Sequence, residues 1–405
     1  MNASSLPHLK IAFVATRDLA QCNGRTLIQG HLLRALRRHH RVEMLQLASL
    51  LQTRRSADLL GAGLTWLASL ARGRPLPLQC LLYGARSEAR RLAAEIRDKD
   101  IDAVYLDTVR CQILLRHLRR LCPDLHVVAD FDDLMSRRAE FLARHRLPFL
   151  SGHVGPQFPG WLRTLVEGPL ARLITAYEAA TLPAAEREVS ANSDVTVVLS
   201  PVEGRLLEDR TQGPVIAIPP GIAAETTAWR GTEELRFVFI GSDRQLQNRT
   251  AIDRLLALWS TICPAATLHI YGRQGRAPVT LPGIEWHGFV EDLAEVYRPG
   301  SIALAPSTVA GGIKTKIIEA WSWGCPVLAT PLALEGIGVE SYPLSLPEEQ
   351  WVPRLRDPVF YGDRWAQAAR LGNDFVRETL TPARFEAAWE RAMLPAPVAA
   401  SLSVR

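Results

Sequence analysis

The sequence predicts an α/β protein built from two doubly wound parallel-sheet domains. Three observations lead there. Short apolar runs rich in β-branched residues alternate with helix-periodic segments along most of the chain. The alternation starts afresh after a polar stretch at residues 223–234, which reads as a linker. The 405 residues, 47% of them hydrophobic, are enough for two separate cores.

The first domain is expected over residues 1–222. KIAFVAT (Lys10–Thr16) is a strand, followed by a polar loop through Gly24 and a helix over Thr26–Arg38. RVEMLQL, DAVYLD and HVVADF repeat the strand pattern, with helices before Asp100 and around Leu114–Leu121. From Leu134 to Pro183 the strands stop and helices and loops are expected. YEAATLPAAEREVSANSDVTVVLSP then gives a long helix and a strand, and VIAIPPGI closes the unit.

The second domain is expected over residues 235–375, through LRFVFIG, a helix over Thr250–Thr261, TLHIYG, IEWHGF, a helix over Asp292–Tyr297, SIALAPS, a helix over Lys316–Trp323, and PVLAT. Residues 376–405 are expected to supply a C-terminal helix that packs back toward the first domain, and a frayed tail. Two such domains would face each other across a cleft at the carboxyl ends of their strands, where ligands bind in these folds.

Composition narrows the class. No apolar run approaches the roughly 20 residues of a membrane span, and the opening MNASSLPHLK lacks the features of a signal peptide, so a cytoplasmic location is expected. The net charge of +5 suits anionic partners, yet no nucleic-acid-binding signature accompanies it. Basic clusters at Arg34, Arg37, Arg38 and Arg41, and at Arg116, Arg119 and Arg120, offer either solvated helix faces or a peripheral contact with anionic membrane at its inner face. Phe149, Phe158 and Trp161 add an aromatic region that would suit a lipid-linked acceptor. The six cysteines show no metal-ligand or disulfide spacing, and Cys325 reads as a small buried hydrophobe. His269, alternating with apolar neighbours, reads as structural.

The most informative stretch is GGIKTKIIEAWSWGCPVLAT, Gly311–Thr330, which holds two of only four lysines in the chain. Amides from Gly311 to Thr315 at a helix N-terminus favour an anion, and Lys316 adds a mobile charge. A diphosphate suits them. Glu319, one turn inside the helix, has two oxygens with which to accept both hydroxyls of a ribose. The alternative is an exposed i, i+3 ion pair between Lys316 and Glu319. Asp130, Asp132 and Asp133 cluster after HVVADF, where they would either orient a sugar hydroxyl or serve turn and capping roles for a helix starting near Ser136. Asp292 is placed as a helix N-cap.

Four ordered segments, FVFIGSDRQLQN, LHIYGR, HGFVEDLAEVY and APSTVAGGIKTKIIEAWSWGCPVLAT, resemble the nucleotide-sugar domain of GT-B glycosyltransferases of the retaining family-4 type. The trailing PLALEGI resembles the continuation seen in sugar transferases of exopolysaccharide clusters. NGR at 23–25, DFDDLMS and YEAA with SDVTVVLS resemble first-domain elements of the same family.

The resemblance implies two Rossmann-like domains and transfer of a sugar from a nucleoside diphosphate donor to an acceptor hydroxyl, with no metal and no further cofactor. Taken with the residue reading, this makes Gly24, Gly241, Arg244, Val290, Gly312, Ile313, Lys314, Thr315 and Glu319 the candidate donor contacts and Lys316, Asp132 and Asp133 the candidate catalytic residues. The acceptor would be a saccharide or a lipid-linked saccharide. A noncatalytic nucleotide- or partner-binding subunit and a nucleotide-sugar epimerase are the rival readings.

The chain departs from the family pattern at several positions. Gly311 stands where the E-x7-E motif has its first glutamate, although a related subgroup carries the G-I-K-x-K form found here. Ser242 and Asn248 fall where an arginine and a lysine usually face the diphosphate, leaving Arg244, Arg249 or Lys316 to supply charge. Asp132 falls where many members have a histidine.

Overall fold

A computed structural model describes residues 7–16, 24–53, 55–147, 170–225, 229, 235–262, 266–307, 309–339 and 341–395. The chain divides into two compact units. The first holds Met1–Phe149, Gln157–Pro219 and Phe385–Arg405; the second holds Leu150–Pro156 and Pro220–Arg384. The aromatic region at Phe149, Phe158 and Trp161 lies outside the described residues, as does most of the polar stretch at 223–234.

The first unit carries a six-stranded sheet of β1 (Lys10–Ala15), β2 (Arg41–Gln46), β3 (Ala103–Asp107), β4 (His126–Asp130), β5 (Val195–Val198) and β6 (Val215–Ala217). Their order is β2-β1-β3-β4-β5-β6, and every pairing is parallel. β3 and β4 are buried at every position, as strands covered by helices on both faces must be.

The helices of this unit include α1 (Gly24–Leu36), α2 (Ser56–Ala71), α3 (Arg86–Asp98), α4 (Gln112–Leu121), α5 (Met135–Arg144), α6 (Ala171–Ala191) and α7 (Pro201–Glu208). The sequence reading has no element where α2 lies. α6 runs on through Pro183. α5 receives no cap from the aspartates before it. Glu203 Oε2 accepts from Leu134 N at 3.2 Å and Glu186 Oε1 from Ser136 N at 2.8 Å, so glutamates from two other helices satisfy its first amides. Burial pushes the Glu186 carboxyl up to about 7.

The second unit carries β7 (Arg236–Ile240), β8 (Leu268–Tyr271), β9 (Ile284–Gly288), β10 (Ser301–Ala305) and β11 (Val327–Ala329), in the order β11-β10-β7-β8-β9 and again all parallel. Its helices include α8 (Leu246–Ile262), α9 (Thr315–Ser322) and α10 (Gly362–Thr379). The expected helix over Asp292–Tyr297 is a short 3-10 turn at Leu293–Glu295, and Asp292 Oδ1 caps it by accepting from Ala294 N at 2.9 Å. Trp321, Trp351 and Trp365 fill the core. Cys325 is buried among them, with Sγ 3.2 Å from Ser301 O, and burial pushes its thiol up to about 12.

The C-terminal helical region is two helices rather than one. α10 ends at Thr379, and α11 (Pro382–Met393) starts with proline at its first position. Within the first unit, α11 buries Trp389 against Tyr105 and pairs Glu390 Oε1 with His40 Nε2 at 2.6 Å.

Candidate functional site

Each sheet has one point where the winding reverses. In the first unit it lies between β1 and β3, and in the second between β7 and β10. Crevices at such points, beside the carboxyl ends of the strands, are where doubly wound sheets bind ligands. Several of the candidate residues lie on the loops and helices that follow these strands.

In the second unit, β10 leads through residues 306–314 into α9. Gly311 and Gly312 adopt φ of 100° and 64°, a left-handed backbone that turns the loop toward α9. A glutamate at 311 would be strained in this loop, which gives the departure at that position a backbone reason. Lys314 occupies the N-cap position without any side-chain cap, at the helix end where the backbone dipole favours an anion. Gly336 packs against this loop so closely that a Cβ there would meet Gly312 O at 2.2 Å.

Lys316 and Glu319 do not form the i, i+3 ion pair that their spacing allows. Lys316 Nζ instead donates to Asn248 Oδ1 at 2.8 Å and lies 4.3 Å from the centre of the Phe239 ring. Part of the side chain remains open to solvent, yet the ammonium is closed in by protein, and desolvation lowers its pKa to about 7 against the opposing field of Glu319. Glu319 is half-buried, and its carboxylate makes no hydrogen bond or ion pair among the described residues. Burial raises its pKa, with Lys316 acting in the other direction. An acceptor-only group left open beside a cation and a helix N-terminus is poised to bind a polar ligand.

The glycine loop after β7 is organised by its own side chains. Asn248 Nδ2 donates to Ser242 O at 3.2 Å, and its amide lies 2.7 Å from where a Cβ on Gly241 would be. Asp243 is buried, but amide donation from Gly275 at 2.6 Å and Arg276 at 3.0 Å holds its carboxyl below the usual range. Arg249 Nε donates to Asp243 O. Arg244 is exposed, and its guanidinium has no partner among the described residues. Of the three cations weighed for the diphosphate, Lys316 is fixed at the crevice and Arg249 is engaged in its loop.

Val290 lies beyond the carboxyl end of β9, half-buried against the core. His269 sits with Glu285 and His287 on one face of β8 and β9. Its Nδ1 is 2.8 Å from His287 Nε2 and 3.2 Å from Glu285 Oε2, with the fields of Arg236 and Arg298 opposing positive charge there.

In the first unit the reversal point holds a buried ionic network that the sequence did not disclose. Arg25, next to Gly24 at the start of α1, places Nη2 3.0 Å from Asp107 Oδ1 and 2.9 Å from Asp130 Oδ2, with Nη1 3.6 Å from Asp132 Oδ1. Tyr105 Oη accepts from Arg25 Nη2 at 2.9 Å and donates to Asp130 Oδ2 at 2.8 Å. Thr16 Oγ1 donates to Asp107 at 2.5 Å. Burial opposes the charge on Arg25, but Asp130 and its neighbours keep it protonated.

Asp133 is buried with its carboxylate on Arg138. Asp132 holds φ of 64° and keeps 21% of its side chain exposed, so it is the aspartate with an open edge. Gly24 opens α1.

The basic clusters are largely spent on ion pairs. Arg38 pairs with Glu386, Arg41 with Glu43, Arg116 with Glu188, and Arg119 with Asp194. No helix among the described residues is long and apolar enough to cross a membrane.

Residues 234–345, within the second unit, match the family model of the glycosyl transferases group 1. Solved structures extend the likeness to the whole chain. Anabaena HepE, crystallised with UDP and glucose, superimposes with a TM-score of 0.60 at 12% identity, over 98% of this chain and 100% of its own. A glycosyltransferase from Rickettsia africae gives 0.60 at 11%, over 96% and 100%. The lipopolysaccharide outer core galactosyltransferase WaaB gives 0.55 at 10%, over 94% and 99%. The fold is GT-B, with two parallel-sheet units. No curated protein sequence matches the chain.

Proposed function

We propose that this protein, whose second unit matches the group 1 glycosyltransferase model and whose fold is GT-B, transfers a sugar from a nucleoside diphosphate sugar to an acceptor hydroxyl with retention of anomeric configuration. The observation that carries the reading is the unpartnered Glu319 carboxylate beside Lys316 and the uncapped N-terminus of α9, at the reversal point of the second sheet.

In this reading the amides of Gly312, Ile313, Lys314 and Thr315 and the Lys316 ammonium hold the diphosphate, while Glu319 accepts from both ribose hydroxyls. Gly241, Arg244 and Val290 border the donor. As the anomeric C–O bond to phosphate breaks, negative charge grows on the diphosphate, where fixed donors stabilise the transition state most. The acceptor oxygen bonds to the anomeric carbon on the face that the diphosphate leaves, and its proton passes to a phosphate oxygen. The first unit takes the acceptor, with Asp132 orienting a hydroxyl and Arg25 and Gly24 shaping the floor beneath it. No metal enters this scheme.

HepE was solved with UDP-glucose, which makes uridine diphosphate sugars the first donors to try. Release of nucleoside diphosphate from a donor panel should be seen, and Glu319→Ala and Lys316→Ala should abolish it while melting temperature is kept. A chain that binds donor in calorimetry but turns none over would instead be a nucleotide-binding subunit.

A further inference from the structure

Helix α2 is built inside out. Its buried residues are Asp58, Ala62 and Ser69, whereas Leu59, Leu60, Leu64, Leu67 and Leu70 are exposed, Leu60 by 71% and Leu64 by 67%. Leu60, Leu64 and Leu67 recur at i, i+4 and i+7 and therefore form one stripe. An ordinary surface helix turns such a stripe toward the core.

The inward side is held by polar bonds that leave no ambiguity about which face points out. Asp58 Oδ2 accepts from Ser87 Oγ at 2.6 Å, and Ser69 Oγ accepts from Leu76 N at 3.2 Å. Trp66 Nε1 donates to Tyr177 Oη at 2.8 Å, fixing α2 beside the start of α6, where Leu173 is 69% exposed one turn before Tyr177. The neighbouring helix therefore also carries an exposed aliphatic side chain.

Charge says what covers it. Arg55 at one end of α2, and Arg72 and Arg74 at the other, are exposed and make no side-chain hydrogen bond or ion pair among the described residues. The single acid of the helix, Asp58, is buried. A stripe of aliphatic side chains with free arginines at both ends suits acyl chains beneath anionic headgroups. Protein interfaces, in contrast, draw on aromatic anchors.

We propose that α2 docks the protein on an anionic phospholipid membrane, its leucines entering the headgroup and acyl boundary and Arg55, Arg72 and Arg74 meeting lipid phosphates. This moves the lipid-facing surface away from the paired arginine clusters. It stands independently of the donor reading.

Vesicle flotation tests it with the full chain and vesicles of phosphatidylcholine with or without phosphatidylglycerol. The protein should float with anionic vesicles, less so at high salt. The triple variant Leu60→Ser, Leu64→Ser, Leu67→Ser should lose roughly tenfold or more of that binding, at unchanged melting temperature and unchanged nucleotide binding in calorimetry. Arg72→Ala with Arg74→Ala should weaken anionic binding alone.

Absence of flotation at low salt overturns the proposal, as does undiminished flotation of the triple variant. A dimer that the serines dissociate would mark the face as a contact between copies. A large drop in melting temperature would mean that the chain itself covers the leucines. Either result also overturns it.

Discussion

Lys316 Nζ lies 2.8 Å from Asn248 Oδ1, across 68 residues of sequence. The contact joins the helix after β10 to the helix after β7, the two strands that flank the reversal point of the second sheet. Asn248 stands where the resemblance places a lysine, and its side chain instead holds Lys316, a cation from another helix. The ammonium is thereby aimed and desolvated before any ligand arrives, as electrostatic preorganisation requires.

Nucleotide binding should be accompanied by proton uptake. In the free protein Lys316 has a pKa lowered to about 7 from 10.5, so above the lower value it is largely neutral. The folded state then holds fewer protons than the unfolded one across that window. This contribution to stability therefore rises with pH through it and is absent below. A bound diphosphate restores the charge. Calorimetry with UDP in buffers of different ionisation enthalpy should show proton uptake between those pH values, and Lys316→Met should remove it.

Glu319→Gln should separate binding from folding. The carboxylate supports no partner in the protein, so the melting temperature should be retained. Each charge-assisted bond to a ribose hydroxyl is worth about 1.5–3 kcal/mol, hence UDP affinity should fall roughly ten- to a hundredfold per bond lost. An unchanged dissociation constant in titration calorimetry would remove Glu319 from the donor site.

Gly336→Ala should act at a distance from the ligand. The added methyl would meet Gly312 O at 2.2 Å, which forces the backbone of the donor loop to move. Overpacking of this kind costs about 1–3 kcal/mol. A lowered melting temperature together with weakened UDP binding is expected, whereas substitution of the exposed Gly73 should leave UDP binding intact.

Arg25 and Asp132 should divide stability from turnover. Arg25→Met leaves Asp107 and Asp130 buried without their cation, a loss of about 3–5 kcal/mol that denaturant unfolding would read. Asp132 keeps part of its side chain exposed, so Asp132→Asn should shift the unfolding midpoint less than Arg25→Met does. Its effect should appear in kcat, measured by nucleoside diphosphate release. Full turnover in Asp132→Asn would show that the aspartate does no more than shape the turn.

The sequence by itself determined the parallel, doubly wound character of both sheets, because buried strands and amphipathic helices leave period-specific patterns in the chain. It also singled out the 311–319 stretch, since glycines, lysines and a glutamate at those spacings are legible locally. Tertiary structure alone decided the partners. Nothing near Arg25 in sequence announces Asp107 or Asp130, and nothing near Lys316 announces Asn248, since these pairs are made by strands and helices brought together through the sheet order. The orientation of α2 was decided in the same way. Its periodicity defines a leucine stripe, but the bonds of Asp58 to Ser87 and of Trp66 to Tyr177 turn that stripe outward, and a stripe has no inherent inside until its neighbours are in place.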